Sequence, residues 1–187
     1  VGRVAFVLRL KNQCSQIDYS GVIGGAEDDQ ANSLAVDGLG RAYVTGFSSC
    51  TGGCNCSFPT VVGPNLTRAA SADASRPSMD GFIARVKADG SSLDYAGFIG
   101  GDGYFDVGHA IAVDASGSAY VAGATDSVTG LPAAPGFRSI PSGDASDGFV
   151  ARIRASGAAV DRFTLLTGTR SGNQSGADRA LAIACLL

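Results

Sequence analysis

Tryptophan is missing from this sequence, and methionine and histidine occur once each. Charged residues make up only 17% of the chain, with a net charge of −3 and no basic stripe. A nucleic-acid partner is therefore not expected, because phosphate binding needs clustered Lys and Arg. No apolar run approaches the roughly 20 residues that span a bilayer, so no membrane insertion is expected. The opening VGRVAFVLRL has no long apolar core and is not a secretion signal. It reads as a start inside a repeat, which leaves export of the parent protein open. The 3.6-residue period of an amphipathic helix is absent as well.

What is present is apolar content of 45% and 27 glycines without a collagen period. That combination describes a globular chain of many tight turns. It also contains a copied line of text. FVLRLKNQCSQIDYSGVIGG at 6–25 and FIARVKADGSSLDYAGFIGG at 82–101 share ten of twenty positions. LAVDGLGRAYVTG at 34–46 and IAVDASGSAYVAG at 111–123 share eight of thirteen, and DGFVARIRASG at 147–157 repeats DGFIARVKADG at 80–90. Tandem self-similarity of this kind marks a repeat architecture.

Each unit divides into four strand-length segments rich in Val, Ile, Phe and Tyr, here termed a to d. Asp37-Gly38-Leu39-Gly40 and Asp114-Ala115-Ser116-Gly117 separate a from b. Ala88-Asp89-Gly90 and Ala155-Ser156-Gly157 separate c from d. These are hairpin turns with Gly where a positive φ is needed. The b–c connection is long and differs in length between units. A four-stranded antiparallel unit cannot bury both faces alone, and stacking copies about an axis does so, which makes a β-propeller. Strand a then lies innermost, where small residues such as Ala35, Ala110, Ala112 and Ala182 fit. A β-solenoid or sandwich is the competing architecture.

The string GGDGYFDVGHAIAVDASGSAYVAGATDS, followed by DGFVARIRASG, resembles the bacterial seven-bladed β-propeller (SBBP) repeat family. The resemblance implies an all-β propeller fold and exported or cell-surface proteins, without any single activity. The b–c loops depart from it in length. The last unit departs too, placing Ala184 where the Asp of Ala-Val-Asp should stand, with Cys185 after it. The expected layout is a partial blade of strands c and d at 1–32 and a complete blade at 33–99 with b–c loop 47–80. A second complete blade follows at 100–167 with loop 124–147, then the first strand of a further blade at 168–187. Such an open piece needs further blades of the same protein, or self-association, to cover its ends.

A meander puts the b–c and d–a connections at one end, so loops 47–80 and 124–147 are expected beside the acidic stretches GGAEDDQAN and GGDGYFDVGH. That end is the expected binding face. Its candidate ligand residues are Glu27, Asp28, Asp29, Asn32, Asp102, Asp106 and His109. Two readings of the acids stand together. They tie backbone N–H groups in interblade loops, or Asp28, Asp29, Asp102 and Asp106 bind Ca²⁺, without the spacing of an EF-hand. Otherwise no cofactor is expected. Asp37 and Asp114 read as turn residues, Asp80 and Asp147 as backbone ties at the start of strand c, and Tyr43 and Tyr120 as packing between blades. His109 is a loop residue rather than a general base, since Asn32 stands at its place in the preceding unit.

Among the five cysteines, Cys50, Cys54 and Cys56 crowd into CTGGCNC. A disulfide from Cys50 to Cys54 or Cys56 is expected, with free thiols, or a zinc site that lacks a fourth local ligand, as the alternatives. The expected function is a non-enzymatic module of an extracellular, periplasmic or cell-surface protein. It would act as scaffold or recognition surface for a protein or glycan. A propeller-channel enzyme acting on polysaccharide, or a structural spacer in a repeat array, are the alternatives.

Overall fold

The structure is a computed structural model, and it describes residues 2–50, 57–68, 77–135, 146–167 and 177–185. Among these residues every regular element is a strand. A hairpin comes first, β1 (Ala5–Lys11) with β2 (Gln16–Ile23). A four-stranded sheet follows: β3 (Asp29–Val36), β4 (Ala42–Cys50), β5 (Ser78–Val86) and β6 (Leu93–Ile99). The second is β7 (Asp106–Val113), β8 (Ala119–Thr125), β9 (Asp147–Ile153) and β10 (Val160–Leu166). Both are antiparallel meanders in sequence order. β3 and β7 are strands a, and the hairpin is the c–d half of a unit.

The turn chemistry follows the residues. Gly40, Gly117, Gly90 and Gly157 all have φ between 72° and 80°, where a side chain would be strained. In both a–b turns the aspartate folds back on the chain. Asp37 Oδ1 accepts from the Leu39 and Arg41 amides, and Asp114 Oδ1 from the Ser116 and Ser118 amides. Strands a carry one bulge each, at Asn32 and at His109, where the pairing register shifts.

Sheets pack face to face and alternate side chains feed two cores. Tyr43, Ile83 and Tyr95 of the first sheet meet Ile111, Val121 and Phe149 of the second. On the other face of the first sheet, Val44, Phe82 and Phe98 meet Ala5, Val7 and Ile23 of the hairpin. The two junctions repeat the same polar contacts. Arg9 Nη1 donates to Ala88 O at 2.7 Å across the first, and Arg85 Nη1 to Ala155 O at 2.6 Å across the second. Strands a lie side by side: Asn32 Nδ2 donates to Gly108 O at 2.9 Å, and the Ile111 amide to Ser33 Oγ at 3.3 Å.

Residues 177–185 join no sheet, yet they occupy the place of a third strand a. The Asp178 amide donates to Ser146 O at 2.8 Å, as the Asp29 amide does to Arg3 O at 2.8 Å. Ala180 N lies against Gly148 as Gly108 N lies against Gly81. This corrects the register expected for the last unit. Asp178 stands with Asp29 and Asp106, so Ala184 matches Ala35 and Ala112, and Cys185 matches Val36 and Val113. Matching by the small-residue pattern alone slips along a run in which Ala recurs at every second position.

Candidate functional site

The end of the molecule carrying the d–a connections is built on buried acids. In the first sheet Asp29 pairs with Ser48 and Ser48 with Asp80, one rung across β3, β4 and β5. The second sheet repeats it as Asp106, Thr125 and Asp147. All six residues are buried. The carboxylates hold the Gly-Gly turns: Gly25 N donates to Asp29 Oδ2 at 2.6 Å, and Gly101 N to Asp106 Oδ2 at 3.0 Å. Asp106 also accepts from Ser127 Oγ at 2.9 Å. Burial pushes the Asp106 carboxyl up to about 6, against hydrogen bonds from Thr125, Gly101 and Ser127, and the nearby Asp80 charge adds to the rise. Asp80 itself is paired with Arg68 at 2.9 Å.

The other candidate acids are ties of the same kind. Asp28 accepts from the Arg3 amide and guanidinium. Those bonds, backbone first, hold its carboxyl below the ordinary range. Asp102 accepts from the Val128 and Thr129 amides and the Thr129 hydroxyl, and its carboxyl is likewise lowered, first by the Thr129 amide. Glu27 sits half-buried in the first d–a turn beside Gly2. Among the described residues no three His, Cys, Asp or Glu side chains gather to hold a metal ion. Of the acids named as a Ca²⁺ donor set, Asp28 faces the Arg3 amide and guanidinium and Asp102 the Val128 and Thr129 amides, while Asp29 and Asp106 each use Oδ2 on a glycine amide and keep a buried Oδ1 without a hydrogen-bond partner among the described residues.

His109 and Asn32 are the bulged residues of the inner strands. Asn32 reaches the next inner strand. Burial lowers the His109 pKa and the Arg179 charge lowers it further, which favours neutral imidazole. Arg179 lies over the Phe105 ring, 5.8 Å from its centroid. Cys50 is disulfide-bonded, whereas Cys14 and Cys185 are free thiols. Cys54 and Cys56 lie outside the described residues.

The b–c loops differ from the expected arrangement. Their described portions do not stay at the acidic end. Residues 57–65 run beside β6, where Val61 and Ala96 exchange both backbone hydrogen bonds and Phe98 N donates to Asn65 O. Phe58 fills the space between Phe82 and Phe98, with ring centroids 4.9 and 5.2 Å away. In the second unit Phe163 N donates to Pro135 O. The loops thus cover the outer edge strands, which would otherwise present unpaired backbone. Where the two loops meet they enclose a cleft of about 210 Å³, lined by Pro64, Asn65, Gly130 and Pro132 over Phe98 and Val160. The sequence marked the loops as variable but gave no sign that they converge.

Antiparallel four-stranded sheets stacked face to face, with their first strands side by side, are the blades of a β-propeller. Residues 19–49, from strand d of the hairpin through strands a and b of the next blade, match the family model of the SBBP beta-propeller repeat. No curated protein matches the chain.

Proposed function

We propose that this is a non-enzymatic propeller module of an exported or cell-surface protein, and that it recognises a protein or glycan where its b–c loops converge. One observation carries the reading. Acids that recur from blade to blade are engaged in holding turns, while the parts that differ between blades, the b–c loops, meet around the cleft at Asn65 and Pro132. The Cys50 disulfide supports an oxidising compartment. A channel enzyme would need acid, base or metal groups converging from several blades. Of the acids at this end, Asp28, Asp29, Asp102 and Asp106 accept from backbone amides instead, and Asp80 pairs with Arg68.

The test is a glycan array and a pull-down from extracellular protein, comparing the chain with Ala133→Lys, which crowds the cleft. Loss of ligand in the variant supports the reading. Binding that survives in the variant would move recognition elsewhere, and cleavage of a polysaccharide would replace it with the enzyme.

A further inference from the structure

The b–c loops leave their sheets from the same place in both units, but different chemistry fastens them there. Cys50 stands two residues past Ser48 of the buried rung, and Ser127 stands two residues past Thr125. Cys50 is held by its disulfide. Ser127 is held by an acid: its hydroxyl donates to Asp106 Oδ2 at 2.9 Å and accepts from the Gly103 amide at 2.8 Å. A covalent tether in the first loop is replaced in the second by a hydrogen bond to a carboxyl that can gain or lose a proton. That carboxyl stands directly behind the cleft. Gly100 lines the cleft, and a methyl on it would lie 2.8 Å from Asp106 Oδ2. Beyond Ser127 the loop is laced to the Gly-Gly turn. The Val128 and Thr129 amides donate to Asp102 Oδ1, and the Asp102 amide donates to Thr129 O at 3.1 Å. Gly130, at φ 73°, rests against Gly101. Pro132 and Ala133 of the cleft wall follow.

The surroundings of Asp106 disfavour its charge. It is buried, and its Oδ1, without a hydrogen-bond partner among the described residues, is the atom left for a proton. Asp80 on β5 bears on it with the same sign. Asp147 on β9 shares its rung, and Asp29 on β3 holds the same place in the neighbouring sheet. Two cations in these surroundings have other contacts: Arg68 pairs with Asp80 at 2.9 Å, and Arg179 lies over the Phe105 ring. Asp102 and Asp126 accept from backbone amides, and burial favours the neutral form of His109 further along β7. Burial of Asp106 therefore outweighs the donors that would favour its carboxylate. The ionised group is relieved when turn and wall part and water reaches it.

We propose that Asp106 is a proton-operated latch on the cleft wall: protonated, it holds Ser127 and the wall against the Gly-Gly turn, and ionised, it lets residues 126–133 part from that turn. On the reading that the cleft is the binding site, recognition is then strongest in acid and weakens toward neutral pH. The direction follows from the two states of the carboxyl. Exposed in the open state it has its ordinary value of 3.8, and in the closed state about 6. The latch is shut below about 3.8, and its open fraction rises up to about 6 and then levels off. The rise is about tenfold per pH unit and roughly a hundred-fold in all.

Amide hydrogen exchange of the 187-residue chain between about pH 4 and 7, corrected for intrinsic rates, tests this. It reads the latch with no ligand present, so it stands apart from the recognition reading. Opening at the Gly103, Val128 and Thr129 amides is expected to increase roughly a hundred-fold across that range. It should exceed the opening of Val121 in the core throughout, and lie flat in Asp106→Asn. Ser127→Ala cuts the tether and leaves the carboxyl in place, and it serves as the second variant if Asp106→Asn gives no cooperative melt. It is expected to raise opening at Val128 and Thr129 about tenfold at the acid end. Wall amides that open only together with Val121 overturn the inference. So does a pH dependence that survives in Asp106→Asn, or a Ser127→Ala chain that opens no more than the wild type. A ligand held equally well at both ends of the range, while the amides follow pH, would overturn the part of the latch in recognition.

Discussion

Phe6 and Phe82 occupy the same place in consecutive units, start the same strand and precede the same alternation, yet one lies in solvent and the other in the core. The difference is the neighbour. Behind Phe82 stand the hairpin and Phe58, whereas nothing among the described residues stands behind Phe6. A propeller blade is thus half of an interface, and local sequence prepares a residue for burial without supplying the surface that buries it. The Arg9–Ala88 and Arg85–Ala155 bonds make the same point in polar form, because each joins two units and neither exists within one.

The largest contrast should come from the phenylalanines. Phe82→Ala is expected to cost about 3–5 kcal/mol, and Phe6→Ala no more than about 0.5 kcal/mol. Urea unfolding of both variants decides it, and equal losses would mean that the hairpin face carrying Phe6 is covered in solution.

Asp106 gives the next effect, at most roughly 3 kcal/mol. It sits at the closed junction near Asp80, while Val4 holds the place of Asp80 beside the hairpin. Its folded pKa of about 6 lies above the ordinary 3.8, so the folded state binds the proton more tightly. The associated stability is full below about 3.8 and is lost as pH rises through about 6. Asp28, Asp37, Asp102 and Asp114 are shifted downward and lose their contribution only at lower pH, as it falls through their folded values. The melting temperature should therefore fall between about pH 4 and 7 in the wild type and lie flatter in Asp106→Asn. A slope unchanged by the substitution would assign it to other groups.

Turn glycines sharpen the comparison further. Gly157→Ala meets both a positive φ and the Tyr95 ring and should cost on the order of 2 kcal/mol, while Cys14→Gly in the β1–β2 turn should be neutral or slightly stabilising. Thermal melts of the pair measure it, and a neutral Gly157→Ala would show that the junction yields easily. The smallest difference belongs to the a–b turns. Asp37 binds Arg41 and Tyr43 at a closed junction, where Tyr43 also reaches toward Gly117 O, whereas Tyr120 beside Asp114 is half-buried. Asp37→Ala should cost about 1 kcal/mol more than Asp114→Ala. Equal costs in chemical denaturation would confine both aspartates to their own turns.

Strands, turns and their repetition could be read directly from the chain, because they depend on contacts between near neighbours: alternation in RAYVTG, Asp followed by Gly in the a–b turns, and glycine at each positive φ of the paired hairpin turns. The role of Asp37 and Asp114 was legible for the same reason. The convergence of Pro64 with Pro132, the pairing of Val61 with Ala96 and the burial of Asp80 near Asp106 were not. Each joins segments whose approach is set by how one sheet leans on the next, and no short-range pattern encodes that angle. Even the register of the last strand was settled by hydrogen bonds from Asp178 and Ala180 to distant carbonyls, since its alternating alanines fit more than one alignment.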